Sequence, residues 1–377
     1  MSMYFMMLFV PAALVILVSW LLYKHEITYK ELVFQGAGVL LSTLLGIGLL
    51  YVLGSAKTWD TELRTGKVIS KAPVHVSCEH QYKCGETCSV DSKGNRTCVP
   101  IYCNEHAYDV DWDVQSTVGT FTIDRVDRRG TREPARFTKV KIGEPAVDSF
   151  GTRNYLLVDK DRFKAPADIM EKYREQLPAY PRVFDYYRID RVVNMTNIYF
   201  SHLNVWLNEQ LKDDARLKQV NIVVVVTYND KDFYQALREH WNGGKKNDLL
   251  LVYGVNPDSS IKWFRANTFA DGQENQSFIK QLETLALERK LDQDLIREQY
   301  ILMLREFNRL PNETFEYMAG FQTPSIGELL FVMFFNLVIS IGLAIYMVRT
   351  DEIGEFDSIS TQNRKRLYDS LKKRNFR

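Results

Sequence analysis

Residues 220–228 read VNIVVVVTY. An unbroken apolar, β-branched run of this length marks a strand covered on both faces, since a strand with one solvated face alternates apolar and polar residues. Working outward, Leu203, Trp206, Leu207 and Leu211 recur at helical spacing upstream. Downstream, Phe233, Leu237 and Trp241 are spaced four apart, with Asn229 or Asp230 available as the N-cap of that helix and Gly243 and Gly244 at its end. DLLLVYGV (248–255) reads as a second buried strand and SIKWFRANTF (260–269) as a third. Phe278, Ile279, Leu282, Leu285 and Ala286 then form an amphipathic helical stripe. The order βαββα predicts an α/β sandwich, with helices covering a small mixed sheet.

Outside this core, three stretches lack any Asp, Glu, Lys or Arg: residues 1–23, 32–56 and 329–348. Each approaches or exceeds the roughly 20 residues that an α-helix needs to cross a bilayer, so the chain is expected to be an integral membrane protein with three transmembrane helices. A cleavable signal peptide is disfavoured for the first stretch, because it lacks a basic leading segment and a second span follows at once. Gly36, Gly38, Gly46, Gly48 and Gly54 let one face of the second span approach another helix, within the chain or in a homo-oligomer. Asn336, the single amide of the third, should face other helices.

Orientation follows from Lys and Arg in the short flanking segments. Lys24 and Lys30 between the first two spans, and Arg349, Arg364, Lys365, Arg366, Lys372, Lys373, Arg374 and Arg377 after the third, predict cytoplasmic flanks. Lys57, Arg64, Lys67 and Lys71 behind the second span pull the other way, although a long domain translocates largely regardless of such charge. The expected location is a bacterial inner membrane, with the central region periplasmic and the tail cytoplasmic. The expected organisation is 1–56 (spans at about 3–23 and 32–56), a Cys/His-rich β module at 57–130, a β/loop and Tyr-rich connector at 131–200, the α/β domain with C-terminal helices at 201–324, the third span at 325–348 and a basic tail at 349–377.

All five cysteines fall in CEHQYKCGETCSVDSKGNRTCVPIYCNEH (78–106). Cys78, Cys84, Cys88, Cys98 and Cys103, with His80 and His106, offer the thiolate and imidazole ligands that zinc prefers, and Cys78, His80, Cys103 and His106 make a plausible Cys2His2 set. An oxidising compartment instead favours two disulfides and one thiol left over, and a mixture of the two is open. Further on, YDVDWDVQSTVGTFTIDRVD (108–127) alternates as a strand. It should place Val110, Trp112 and Val114 on one face and Asp109, Asp111 and Asp113 on a solvated one.

The unit from 203 to 287, with VNIVVVVTY, the helix ending at Trp241, WNGGKKNDLLLVYG and IKWFRANTF, resembles the TPM domain of membrane-anchored bacterial envelope proteins. Trp241, Gly244, Lys245 and Asp248 occupy the places of that family's motif, while Leu249 stands where the family has glycine. The resemblance implies a cation at Asp248 and, through activity linked to such domains, a phosphatase-like hydrolase. With CEHQYKC and CNEHAYDVDWDV, the whole chain also resembles uncharacterised membrane proteins of tailed bacteriophages, which implies an origin and no activity.

The chain carries no GxSxG elbow, HExxH, Walker loop or dinucleotide fingerprint. A net charge of +1 gives no strongly basic face, so nucleic acid is not an expected partner. The expected function is a binding or scaffolding module at the cell envelope that engages the lipid bilayer and a protein partner, with zinc as a candidate ligand. The alternative is a membrane-anchored hydrolase.

Overall fold

The run at 220–228 is a strand in the computed structural model, and Asn221–Thr227 is buried at every position. The structure describes residues 2–22, 29–159, 161–321 and 324–350. In chain order its regular elements are α1 (Ser2–Leu22), α2 (Tyr29–Lys57), β1 (Trp59–Val76), β2 (Gln81–Val90), β3 (Arg96–Asn104), β4 (Asp109–Ser116), β5 (Thr120–Ile123), α3 (Ala135–Lys139), β6 (Pro145–Arg153), α4 (Ala167–Tyr173), β7 (Val192–Asn194), α5 (Ser201–Lys218), β8 (Asn221–Thr227), α6 (Phe233–His240), β9 (Asp248–Val255), β10 (Ile261–Thr268), α7 (Gln276–Ala286), α8 (Gln293–Glu306) and α9 (Ile326–Thr350). They fall into two compact units, Trp59–Phe315 and the helical unit Met1–Thr58 with Glu316–Arg377.

In the larger unit, β7, β8 and β9 are parallel and β10 is antiparallel to β9, in the order β10-β9-β8-β7. Alternate residues of β8 serve two cores. Ile222, Val224 and Val226 pack with Leu203, Leu207 and Leu211 of α5 and with α7 and α8. Val223 and Val225 pack with Phe233, Leu237 and Trp241. Both faces are therefore apolar, which is why the sequence shows a run and no alternation. The expected βαββα order is present as β8-α6-β9-β10-α7, and β7 is an addition from the Tyr-rich connector, too short at three residues to show a period.

A second sheet, β5-β4-β1-β6, is antiparallel throughout. Strand β1 is 18 residues long and serves two partners, pairing through Trp59–Lys67 with β6 and through Val68–Val76 with β4. A register shift between Val68 and Ser70 marks the change. Val110, Trp112 and Val114 face the core of this sheet as the alternation requires. Both sheets lie within the one compact unit Trp59–Phe315.

The helical unit inverts the polarity of a water-soluble protein. Gln35, Ser42, Thr43, Asn336 and Ser340 are buried, while Leu41, Leu45, Phe331 and Phe334 are exposed. Asn336 donates to the Leu8 carbonyl at 3.2 Å and to Thr43 Oγ1 at 3.1 Å, and its Oδ1 accepts from Ser42 Oγ at 2.7 Å. The amide thus faces the other two helices, as its cost in hydrocarbon demands. At one end of the bundle Lys57 pairs with Glu328 at 2.7 Å, so the chain leaves and re-enters this unit on the same side. Among the described residues, two helices are long and apolar enough to cross a membrane by length and composition, Tyr29–Lys57 and Ile326–Tyr346; the first helix offers the shorter apolar stretch Leu8–Leu21. Three were expected, and the shortfall is at α1. Lys24 and the basic residues from Arg364 to Arg377, on which the expected orientation rests, lie outside the described residues.

A Cβ added at Gly46 would stand 2.5 Å from Val332 Cγ1, and one at Gly38 equally close to Leu343 Cδ1, whereas Gly36 and Gly48 have nothing within 4 Å. The close approach is intramolecular, against α9. Gly46→Ala should therefore lower the thermal stability of the detergent-solubilised helical unit, by about 1–3 kcal/mol through overpacking. Gly48→Ala should leave it unchanged or raise it slightly, since alanine is the better helix former. Equal melting of the two variants would refute the packing assigned to α2 and α9.

Candidate functional site

Strands β2 and β3 form a hairpin paired to each other alone. Its turn is local chemistry: Asp91 Oδ1 accepts the Lys93 N–H at 2.9 Å and the Asn95 N–H at 2.8 Å, and Gly94 takes φ +85°. Almost every residue of both strands is exposed, so no core holds them. Two disulfides do: Cys88–Cys98, directly opposite in register with Cα atoms 4.0 Å apart, and Cys84–Cys103, with Cα atoms 5.6 Å apart beside the irregularity at Lys83/Gly85. Each closes a short loop, and a native disulfide of this kind contributes about 2–4 kcal/mol. Tyr82 pairs with Cys103, and Cys103, Ile101 and Val99 share one face by the period of two. That face carries Tyr82, Val99 and Ile101 at 52%, 61% and 46% exposure.

Of the two expected uses of these cysteines, disulfide or zinc, four take the disulfide one. The irregularity at Lys83/Gly85 brings Cys84 to Cys103, and their disulfide removes Cys103 from any Cys2His2 site; Cys88 and Cys98 are likewise oxidised. His80 turns away, its Nε2 lying 3.1 Å from the Arg128 carbonyl. Cys78 and His106 do meet: Cys78 is a buried free thiol whose Sγ lies 3.6 Å from His106 Nδ1. The third group is Asp109, whose Oδ1 lies 3.4 Å from the same nitrogen. Pairing of Val76 with Asp109 brings the start of β4 beside Cys78.

Asp109 was expected on a solvated face, yet it is fully buried. Its Oδ2 accepts from the Glu79 N–H at 3.0 Å and from Arg125 Nη1 at 3.2 Å. The Glu79 N–H, with Arg125, holds its carboxyl below the ordinary range against the opposing pull of desolvation. Among the described residues its Oδ1 has no hydrogen-bond partner. The sequence signal for Asp109 is its place three residues after His106 at the head of a strand. Asp111 pairs with Arg125, and Asp113 accepts from Thr122, so neither completes a row of cation ligands.

Asp248 lies elsewhere, as the first residue of β9, and is 3% exposed. Asn221 Nδ2 donates to its Oδ1 at 2.7 Å and the Lys245 N–H to its Oδ2 at 2.7 Å, while the Tyr180 hydroxyl stands 2.9 Å from both oxygens. A Cβ at Gly244, which has φ +88°, would come within 2.9 Å of Oδ2, so glycine is required there. The motif resemblance placed a cation at Asp248; the geometry makes the carboxylate the acceptor that closes the Gly244–Asp248 turn. Burial pushes its carboxyl up to about 6, against the lowering by these donors. Asn221 is also held by Arg191, a fully buried guanidinium that sequence reading missed because nothing local announces it. Asp230 does not cap α6; it pairs with Lys262 at 2.6 Å, and Asp232 takes Lys172 and the Tyr173 hydroxyl.

A cleft of about 570 Å³ runs along α6, lined by Arg162, Lys164, Lys231, Arg238 and Arg265 with Asp232. Its lining holds no Ser, Cys or His, and Arg162 and Arg238 are both engaged by Asp271. The cleft is cationic.

The chain matches no family model, no curated protein and no solved structure. Cysteine pairs at disulfide distance and a Cys/His/Asp grouping able to hold a metal ion are therefore the chemistry on which a functional reading stands.

Two outcomes follow from this geometry. Unreduced, denatured protein should show one reactive thiol, Cys78, rising to five after reduction, and more than one before reduction would contradict the pairing. Asp248 binds its proton more tightly folded than at its ordinary 3.8, so its contribution to stability is complete below about pH 4 and is lost as pH rises through about 6. Asp248→Asn should remove that component, and over pH 4–6 the stability of wild type should fall relative to the variant by up to about 1.4 kcal/mol per pH unit. Parallel denaturant-derived stability curves would show the carboxyl to titrate normally.

Proposed function

We propose that the chain is a membrane-anchored envelope protein whose Trp59–Phe315 unit works outside the cytosol as a binding or scaffolding module and presents the β2–β3 hairpin to a protein partner. The observation that carries this is the hairpin itself: an exposed arm, kept rigid by two disulfides, with Tyr82, Val99 and Ile101 on one face. Ordering an arm in advance lowers the entropy lost on binding, and exposed aromatic and aliphatic side chains on a rigid frame are what an interface core uses. Disulfides persist in oxidising compartments, which supports export of this unit. The buried polar and exposed apolar residues of the helical unit support lipid as its solvent, with α1 as a third span. A TPM-like identity, a phage origin and an inner-membrane location with a cytoplasmic tail remain part of this reading on the strength of the sequence resemblance and the charge distribution.

The hydrolase alternative finds its support in the cationic cleft along α6, which suits a phosphoanion. The binding reading is favoured because the one carboxylate of the cleft lining, Asp232, is already paired with Lys172 and the Tyr173 hydroxyl.

A photo-crosslinking residue placed at Ile101 or Val99 in cells should give a discrete adduct that the same residue at exposed Leu217 of α5 does not. Ile101→Asp in a chain crosslinked through Val99 should abolish it without lowering the melting temperature. An adduct of twice the chain mass would identify the partner as a second copy. Absence of any hairpin adduct, together with phosphate release from model esters that Arg238→Ala abolishes, would replace the binding reading with the hydrolase one.

A further inference from the structure

We propose that Cys78 Sγ, His106 Nδ1 and Asp109 Oδ1 form a binding site for one divalent cation of the zinc class, seated at the root of the hairpin. The three ligand atoms lie within 4.8 Å of one another. Two of the three spacings match a tetrahedral edge. With zinc bonds of about 2.3 Å to sulfur, 2.0–2.1 Å to imidazole nitrogen and 2.0–2.2 Å to carboxylate oxygen, a tetrahedral angle sets S···N near 3.6 Å and N···O near 3.4 Å. The protein holds Sγ and Nδ1 3.6 Å apart and Nδ1 and Oδ1 3.4 Å apart.

Hydrogen bonding does not account for the arrangement. One ring nitrogen faces both the sulfur and the carboxylate and carries at most one proton, and Oδ1 of the fully buried Asp109 is left without a hydrogen-bond partner. A buried, unpaired carboxylate oxygen is costly, and a cation removes the cost. The surrounding groups hold it in place: the Glu79 N–H and Arg125 fix Oδ2, which aims Oδ1 at the cluster, as groups behind a metal ligand do elsewhere. A thiolate and a carboxylate supply two negative charges, enough to neutralise the ion. The Cys78 thiol donates to the His80 carbonyl at 3.2 Å, so binding an ion must release that proton to solvent.

Cys78 precedes β2, and His106 and Asp109 follow β3, so the ion closes the base of the 78–106 segment and sets the direction of the arm. Nothing in this depends on what the arm binds.

The test uses the full chain in detergent, stripped by chelator and then titrated with Zn2+ or Co2+ alone. Elemental analysis should find one zinc per chain, and Co2+ should give a thiolate charge-transfer band in the near ultraviolet. Zn2+ should slow maleimide labelling of Cys78 in the native protein by tenfold or more, and the binding should release protons at neutral pH. Cys78→Ser, a near-isosteric change, should abolish the band with both disulfides and the melting curve intact, while His80→Ala should keep it. Asp109→Asn should weaken Zn2+ by tenfold or more, but it also disturbs Glu79 and Arg125, so Cys78→Ser decides. Metal well below one per chain, or the same Co2+ spectrum in wild type and Cys78→Ser, would overturn the proposal.

Discussion

One fully buried cation, Arg191, joins the two sheets of the larger unit. Its Nη2 donates to Thr65 on β1, its Nη1 to Asn221 on β8 and its Nε to Asn208 on α5 at 2.9 Å, while its backbone N–H donates to Asn204 at 2.7 Å. A guanidinium taken fully out of water costs several kcal/mol unless its protons find acceptors. Here the acceptors come from three elements at once, so the guanidinium is satisfied only when all three are in place. Burial lowers its pKa to about 10, which leaves it charged at neutral pH. The compensating charge is Asp248, reached through the Asn221 amide and not by direct contact.

The same seam continues along β1. Lys245 pairs with Asp60, Asn247 donates to the Leu63 carbonyl at 2.6 Å, and buried Glu62 pairs with Arg64 and Arg309. One strand thus carries a polar interface on its first half and, on its second, the backbone that brings Cys78 toward β4. The hairpin and its root hang from a strand whose register the Arg191 network helps to set. Registers in which buried polar groups would go unpaired are strongly disfavoured.

How legible a segment was depended on whether its neighbours are close in sequence. Strands β8 and β9 are unbroken apolar runs and helices α5, α6 and α7 bury apolar residues at helical spacing, and each was read from the residues alone. Strand β1 was not, because residues 59–68 bury Glu62 and Thr65 beside Leu63 and Val68, and no hydrophobic period marks such a face. Strand β7 failed for its three-residue length, and Asp109 was read as solvated because its strand face is polar everywhere else.

Composition and spacing by themselves determined that apolar helices flank an α/β unit, that its strands β8 and β9 are buried on both faces, that Asn336 turns inward and that the cysteines of residues 78–103 make one local cluster. Those are properties of single segments, set by local periodicity and by the cost of burying or exposing a side chain. Only the tertiary structure decided which cysteines oxidise, because hairpin register selects Cys88–Cys98, the irregularity beside Cys84 brings it to Cys103, and Cys78 is left beside His106 and Asp109. It also decided that Asp248 closes a turn and that Arg191 joins two sheets. Each of these depends on atoms far apart in the chain meeting within about 3–4 Å, the range of a hydrogen bond or a ligand edge, and no local pattern encodes that distance.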